Sequence, residues 1–280
     1  MLGLDLQETF RDRDFTALGR ESLDVTDVEA VRGAVANHDV IINAAAYTKV
    51  DDAETNEDAA FAVNGTGALN LATAAAESHA HLVHISTDYV FDGQATGPYP
   101  EDAPRNPISA YGRSKAAGER LALEAHPTGT FILRTAWLYG AGGPNFVSTM
   151  LRLATTRETV SVVNDQFGQP TWTRDVARQI LTLVDSKAPA GVYHATNSGR
   201  ASWFDFARAA FAQAGLDPDK VTATDSAHFQ RPAPRPANSV LGHDKWAQVG
   251  LQPMRPWQNA LDEATTEGVV KQYDDPAGDS

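Results

Sequence analysis

Residues 39–46, DVIINAAA, form an apolar run without alternation that ends in three small side chains. A run so short and uniform suits a parallel strand buried on both faces, with room at its end for a ligand to come close. Residues 82–86 have the same character, and an alanine-rich helical stretch, about 56–78, lies between the two. Buried parallel strands need crossover connections, so these runs commit the chain to an α/β sheet. The rest of the pattern agrees. Leu2, Leu6 and Phe10 share a helix face, and residues 15–18 read as a short strand. Thr26 and Glu29 form a capping-box pattern ahead of a helix whose apolar face is Val28, Val31 and Val35. Strands are expected at 131–136, 160–163 and 191–195, and helices from about Ile108, at 146–156 and at 174–184. Strand and helix alternate throughout, which predicts a doubly wound parallel sheet.

After Asn197 the pattern changes. Trp203, Phe204, Phe206, Ala207, Ala210 and Phe211 make a helix with a heavy aromatic face, read as core packing in a smaller region. Prolines keep 229–241 extended, and a last helix is expected over 256–266. Arg231 and Arg235 stand out here in an acidic chain, and paired arginines suit a diphosphate, held by forked hydrogen bonds. The expected division is a dinucleotide-binding unit, 1–142 plus 158–196, and a substrate-binding region, 143–157 plus 197–272. The acidic end, 273–280, is read as disordered.

A formal charge of −13 makes nucleic acid and anionic membrane surfaces poor partners. The absence of cysteine excludes disulfides, thiolate catalysis and cysteine-ligated metal. No metal-ligand cluster is evident, and His81 and His84, flanking a strand, are read as structural. No signal peptide or membrane-length apolar run is visible, so a cytoplasmic location is expected by default.

The chemistry concentrates in 84–115. The strand at 82–86 runs into Thr87, and the next helix carries Tyr111 and Lys115. Positions i and i+4 share a helix face, and in open α/β sheets ligands bind beyond the carboxyl ends of the strands. A hydroxyl, a phenol and an ammonium are therefore expected over one crevice. A charge ~5 Å from the phenol, at an effective dielectric of ~20, is worth about 3 kcal/mol, or about two pKa units. That would bring Tyr111 toward the range where it exchanges protons efficiently. With Thr87 holding a carbonyl oxygen and a hydride donor opposite, such a site reduces a ketone or oxidises an alcohol. Tyr-x-x-x-Lys alone is a weak signal; Ser86-Thr87-Asp88 at a strand end strengthens it.

Longer motifs carry a resemblance. They are LDVTD (23–27), NAAAYTKVDDAE (43–54), HISTDYVFDG (84–93), YGRSKAAGE (111–119), RTAWLYG (134–140), VVNDQFGQPT (162–171) and RPANSVL (235–241). Over nearly its whole length the chain resembles the extended short-chain dehydrogenase/reductases, and within them the dTDP-4-dehydrorhamnose reductase family. The resemblance implies a Rossmann-like fold and hydride transfer from NAD(P)H to carbon 4 of a dTDP-linked 4-keto-6-deoxy sugar, giving dTDP-L-rhamnose. It implies that Tyr111 is the proton donor, and that Lys115 orients the nicotinamide ribose and tunes Tyr111. Thr87 bonds the sugar carbonyl, with Asp88 beside it at the substrate, and Trp137 contacts the sugar nucleotide. Asp24 and Val25 lie along the adenine, and Ala45, Ala46, Tyr47 and Thr48 line the cofactor. Arg20 stands where some members carry an acid, and an arginine there suits a 2′-phosphate. NADPH is therefore the expected cofactor, with NADH as the alternative. The resemblance leaves a homodimer open.

One departure is large. The family begins with a strand and a glycine-rich turn, of which only Met1, Leu2 and Gly3 match the last part. The turn cradles the pyrophosphate, so these three are the cofactor-binding residues expected at this end. The sheet is expected to lack its first strand, and the chain to be a shortened form of its natural protein. Two other functions stay open: an epimerase or dehydratase of nucleotide sugars, and a non-catalytic regulatory subunit. A dehydratase would be expected to follow Asp88 with a second acid, where this chain has Tyr89.

Overall fold

The computed structural model describes residues 1–270; the expected tail, 273–280, lies outside them. In chain order the elements are α1 (Leu2–Thr9), α2 (Val28–Val35), β1 (Val40–Asn43), α3 (Val50–Ala53), α4 (Glu57–Phe61), a π-helical turn (Ala62–Thr66), α5 (Gly67–Glu77) and β2 (His81–Thr87). They continue with α6 (Ala110–Ala125), β3 (Thr130–Thr135), β4 (Leu138–Tyr139), α7 (Phe146–Thr156), β5 (Val160–Val163), β6 (Phe167–Gly168), β7 (Thr171–Trp172) and α8 (Thr173–Val184). The last are β8 (Gly191–His194), β9 (Ala201–Ser202), α9 (Trp203–Gln213), β10 (Val221–Thr224), α10 (Asp244–Gln248) and α11 (Trp257–Thr266).

The main sheet has four strands in the order β1-β2-β3-β8, all parallel. Successive side chains alternate between its faces. Val83, Leu133 and Tyr193 pack with Leu2 and Leu6 of α1 and with Val176, Ile180 and Leu183 of α8. Leu82 and Ile132 pack on the other face with Val31 and Val35 of α2 and Leu71 and Ala75 of α5. Both faces being covered explains why the strand runs are apolar without alternation.

Three expectations are corrected. Residues 15–18 form no strand; Phe15 and Leu18 are exposed, and only Thr16 is tied back, by a hydrogen bond with His38. Among the described residues β1 has a strand on one side only, and so short a segment does not hold an extended form without a ladder. The cap of α2 is Asp27, whose carboxylate accepts from the N–H groups of Glu29 and Ala30, while the Thr26 hydroxyl donates to Asp24. Val160–Val163 does not join the main sheet but pairs in parallel with β10. Its Val160 and Val162 pack with α7, α9 and α11 in a second core that includes Phe206, Phe211, Trp257 and Leu261. No helix among the described residues is long and apolar enough to cross a membrane.

Candidate active site

The carboxyl end of β2 is shaped by its last hydroxyl. Thr87 Oγ1 accepts from the Tyr89 N–H at 3.3 Å and starts a 3-10 turn, Asp88–Val90. Helix α6 arrives beside this turn. Its N-cap, Ser109, accepts from the Gly112 N–H at 3.1 Å, and Glu54 accepts from the Ala110 N–H at 2.8 Å. Two glycines let α6 sit close. A side-chain carbon at Gly112 would collide with the Tyr89 carbonyl oxygen, and one at Gly118 with that of Asn64. The expected helix start, near Ile108, is two residues early.

This packing places Tyr111 and Lys115 as their spacing implied. Tyr111 is half-buried, edge-on to Tyr89 with centroids 5.6 Å apart. Lys115 is 2 % exposed and donates to the Ile85 carbonyl at 2.6 Å. Burial pushes its ammonium down to about 8, with Glu119 acting the other way. The expected tuning of the phenol by Lys115 is not the dominant effect. Burial pushes Tyr111 up; Thr87, as a hydrogen-bond partner, lowers it, and Asp88 and Tyr89 raise it. The ammonium is drawn toward the strand backbone, and desolvation penalises a phenolate more than a charge beyond that carbonyl relieves it. Tyr111 is thus held protonated, the form a proton donor requires.

Beneath the trio lies a buried polar network. Glu119, one turn after Lys115, is fully buried and pairs bidentately with Arg134 of β3 at 2.9 and 2.8 Å. It also accepts from Ser86 Oγ at 2.5 Å and from Arg105 at 3.3 Å. Arg134 is 2 % exposed and donates as well to the Glu101 carbonyl at 3.1 Å. The network ties α6 to β2 and β3 beneath Thr87, Tyr111 and Lys115.

On the side expected to take the cofactor, the loop after β1 is stitched to α6. Asn64, in the π-helical turn, accepts from the Tyr47 N–H at 2.8 Å and donates to the Tyr47 carbonyl at 3.1 Å and to Ser114 Oγ at 2.9 Å. Ser114 in turn donates to the Tyr111 carbonyl at 2.7 Å. Ala45 and Thr48 are exposed, Ala46 and Tyr47 half-buried, and the Tyr47 hydroxyl donates to Asp52. Asp24 is exposed and held below the usual carboxylate range by the Thr26 N–H and hydroxyl. Val25 is buried against Gly67, and Arg20 is exposed. Leu2 departs from expectation, for its side chain is 7 % exposed and part of the core under α8; Met1 is half-buried and Gly3 open to solvent. His84 is buried beside Asn43 at 2.9 Å, and burial, then Lys115, push its imidazole well below its usual range.

The substrate side is less as expected. Arg235 is engaged in a forked pair with Asp51 at 2.7 and 3.1 Å, and is not a free anion binder. Burial raises the Asp51 carboxyl, but the Arg235 guanidinium and the Ala233 N–H hold it below its ordinary value. Arg231 is exposed, its guanidinium 4.8 Å over the Phe229 ring. Trp137 is half-buried and stacked on Trp203 with centroids 3.6 Å apart. Its φ of 47° lies in the left-handed region, which costs a non-glycine residue on the order of 1–3 kcal/mol and concentrates at ligand sites. A side-chain carbon at Gly168 would strike the Trp137 indole.

Sequence reasoning missed Asn64, Glu119 and Arg134. Glu119 and Arg134 stand inside motifs already singled out, yet nothing in one sequence says that they meet. A polar residue facing a strand-end hydroxyl from the next helix was the available signal.

A parallel sheet whose second strand ends in Thr87, followed by a helix presenting Tyr111 and Lys115 one turn apart, defines a short-chain dehydrogenase/reductase of the extended, Rossmann-like kind. Comparison with known proteins narrows this. The profile described as RmlD substrate binding domain matches residues 1–269, and the chain belongs to that family. It is 49 % identical over 272 residues to the dTDP-4-dehydrorhamnose reductase of Streptomyces griseus, covering 94 % of this chain and 90 % of that one. It is 47 % identical over 268 residues to the dTDP-4-keto-6-deoxy-D-glucose reductase of Streptomyces niveus, covering 94 % and 93 %. Among solved structures, dTDP-4-dehydrorhamnose reductase from Bacillus anthracis in complex with NADP superposes with a TM-score of 0.91 at 40 % identity, covering 95 % of each chain.

Proposed function

We propose that this chain reduces the 4-keto group of a dTDP-linked 4-dehydro-6-deoxy sugar, turning dTDP-4-dehydrorhamnose into dTDP-L-rhamnose with NADPH. The observation that carries the reading is the convergence of Thr87, Tyr111 and Lys115 at the carboxyl end of β2. Tyr111 gives its phenolic proton to the oxygen of the reduced carbonyl, Thr87 holds that oxygen, and Lys115 fixes the crevice floor with a positive charge. The residues after β1 and on α6 fit the adenosine and nicotinamide ends of the cofactor. Asp24 offers an exposed carboxylate, Ala45 and Thr48 leave the backbone approachable, and Lys115 has spent one of its three donors. NADPH, when bound, supplies the hydride. Tyr89 occupies the place of the second acid of a dehydratase, with its ring against Tyr111.

The test is the loss of NADPH absorbance on adding dTDP-4-dehydrorhamnose to the purified chain. The name of the S. niveus relative gives reason to run dTDP-4-keto-6-deoxy-D-glucose beside it. Turnover of either sugar supports the reductase. No turnover of either, together with a partner enzyme retained through purification, points to the regulatory subunit instead.

Cofactor choice has its own expected result. Arg20 is exposed and close enough to act on Asp24. A charge-assisted pair with a 2′-phosphate is worth about 1.5–3 kcal/mol. Arg20→Ala should therefore weaken NADPH roughly tenfold to a hundredfold and leave NADH nearly unchanged, read as dissociation constants by fluorescence titration. Equal losses for both would show that Arg20 does not read the phosphate.

A further inference from the structure

Thr87 has one hydroxyl proton, and the structure shows where it goes. Thr87 Oγ1 donates to Asp88 Oδ1 at 3.0 Å while accepting from the Tyr89 N–H at 3.3 Å. A hydroxyl whose only proton is given to a neighbouring carboxylate has none left for a carbonyl oxygen. Yet Thr87 is the group that should hold that oxygen. The resolution lies in Asp88. It is 2 % exposed, and its Oδ2 is buried without a hydrogen-bond partner.

We propose that Asp88 is a positioning residue that sets the direction of the Thr87 hydroxyl. As a carboxylic acid it donates to Thr87 Oγ1, whose two lone pairs are then filled by Asp88 and the Tyr89 N–H, and the Thr87 proton is free to turn into the crevice, toward the Tyr111 oxygen and the substrate carbonyl. As a carboxylate it takes that proton for itself. No bond is made or broken in the switch; one proton on Asp88 reverses the order of donation.

The surroundings raise the share of the acid. From its own turn Asp88 is faced by Tyr89, from α6 by Tyr111, and from 235–241 by the Ser239 hydroxyl. The charged pair Arg235 and Asp51 acts on Tyr89, and no cation is among the groups acting on Asp88. Burial pushes its carboxyl up to about 6, against the lowering effect of the neighbouring Ser239 and Thr87 hydroxyls. A neutral carbonyl bound over the trio excludes more water and raises it further.

The inference rests on Thr87 meeting the sugar carbonyl, so the experiment separates the two readings. With dTDP-4-dehydrorhamnose and NADPH, wild-type kcat should fall about tenfold per pH unit above the titration of Asp88. Asp88→Asn, whose amide donates to Thr87 at every pH, should give a lower profile that stays flat through the Asp88 titration and falls only where Lys115, pushed down to about 8, loses its charge. An infrared difference spectrum, wild type minus Asp88→Asn, reads the same group without turnover. The carbonyl stretch of a protonated carboxylic acid should be present at low pH and vanish as pH rises. A pH limb at the Asp88 titration, below that of Lys115, that persists in Asp88→Asn overturns the proposal. So does a folded, NADPH-binding Asp88→Asn without turnover at any pH, or a difference spectrum with no acid band. If the wild type reduces neither sugar while the acid band titrates, it is the substrate reading that fails.

Discussion

Tyr111→Phe should lower kcat by roughly a hundredfold to ten-thousandfold, the usual worth of a positioned acid, and leave the dissociation constant of NADPH within about twofold. The ring keeps its edge-on packing against Tyr89, so the substitution removes one hydroxyl and little else. That hydroxyl matters only as the alkoxide forms, and its loss falls on the chemical step. Because burial holds the phenol protonated, the wild type should show no loss of activity from phenol ionisation anywhere near neutral pH. Stopped-flow NADPH oxidation under single-turnover conditions isolates the step. Wild-type rates in Tyr111→Phe would remove the basis for the proposed reaction.

The second large effect is on stability. Glu119→Leu leaves the Arg134 guanidinium buried without its carboxylate, in a site 2 % exposed. Breaking one side of a buried pair costs about 3–5 kcal/mol, against about 5–15 kcal/mol in hand for a domain. Urea unfolding should show that loss, and the double variant Glu119→Leu with Arg134→Met should recover much of it, since two apolar side chains leave no uncompensated charge. A single variant within about 1 kcal/mol of the wild type would mean that water, with the Glu101 carbonyl 3.1 Å from Arg134, already satisfies the guanidinium.

Much of this was legible in the sequence because period and length speak for long elements. The apolar runs ending at Asn43 and Thr87 mark the strands, and i, i+4 spacing places Tyr111 and Lys115 on one helix face. What stayed hidden depends on partners. Val160–Val163 reads as a strand from its residues, but only β10, some sixty positions later, decides that it lies outside the main sheet. Arg235 reads as a charge seeking an anion; that Asp51, 184 positions away, already supplies one is tertiary information. The two-residue strands and α10 are too short to have a period. The Tyr111–Lys115 coupling was argued from distance alone, whereas burial and the Ile85 carbonyl decide the outcome. Thr26 and Glu29 made the right motif one residue early, because an aspartate at 27 caps equally well.

The Trp137–Trp203 stack gives the protein an optical signature. Of the chain's 5 tryptophans, Trp172, Trp246 and Trp257 are buried, at 1 %, 0 % and 5 % exposure, and out of reach of a ligand. Trp137 and Trp203 are half-buried, face to face at 3.6 Å and 9°. Indoles held so closely share their excited states. Their near-ultraviolet circular dichroism is then that of a coupled pair and not the sum of two chromophores. Binding at the proposed substrate site beside Trp137 can therefore be followed by light in the unlabelled protein. A base or sugar that wedges the rings apart dissolves the couplet, whereas one that settles on the outer face of Trp137 leaves the couplet and changes its emission.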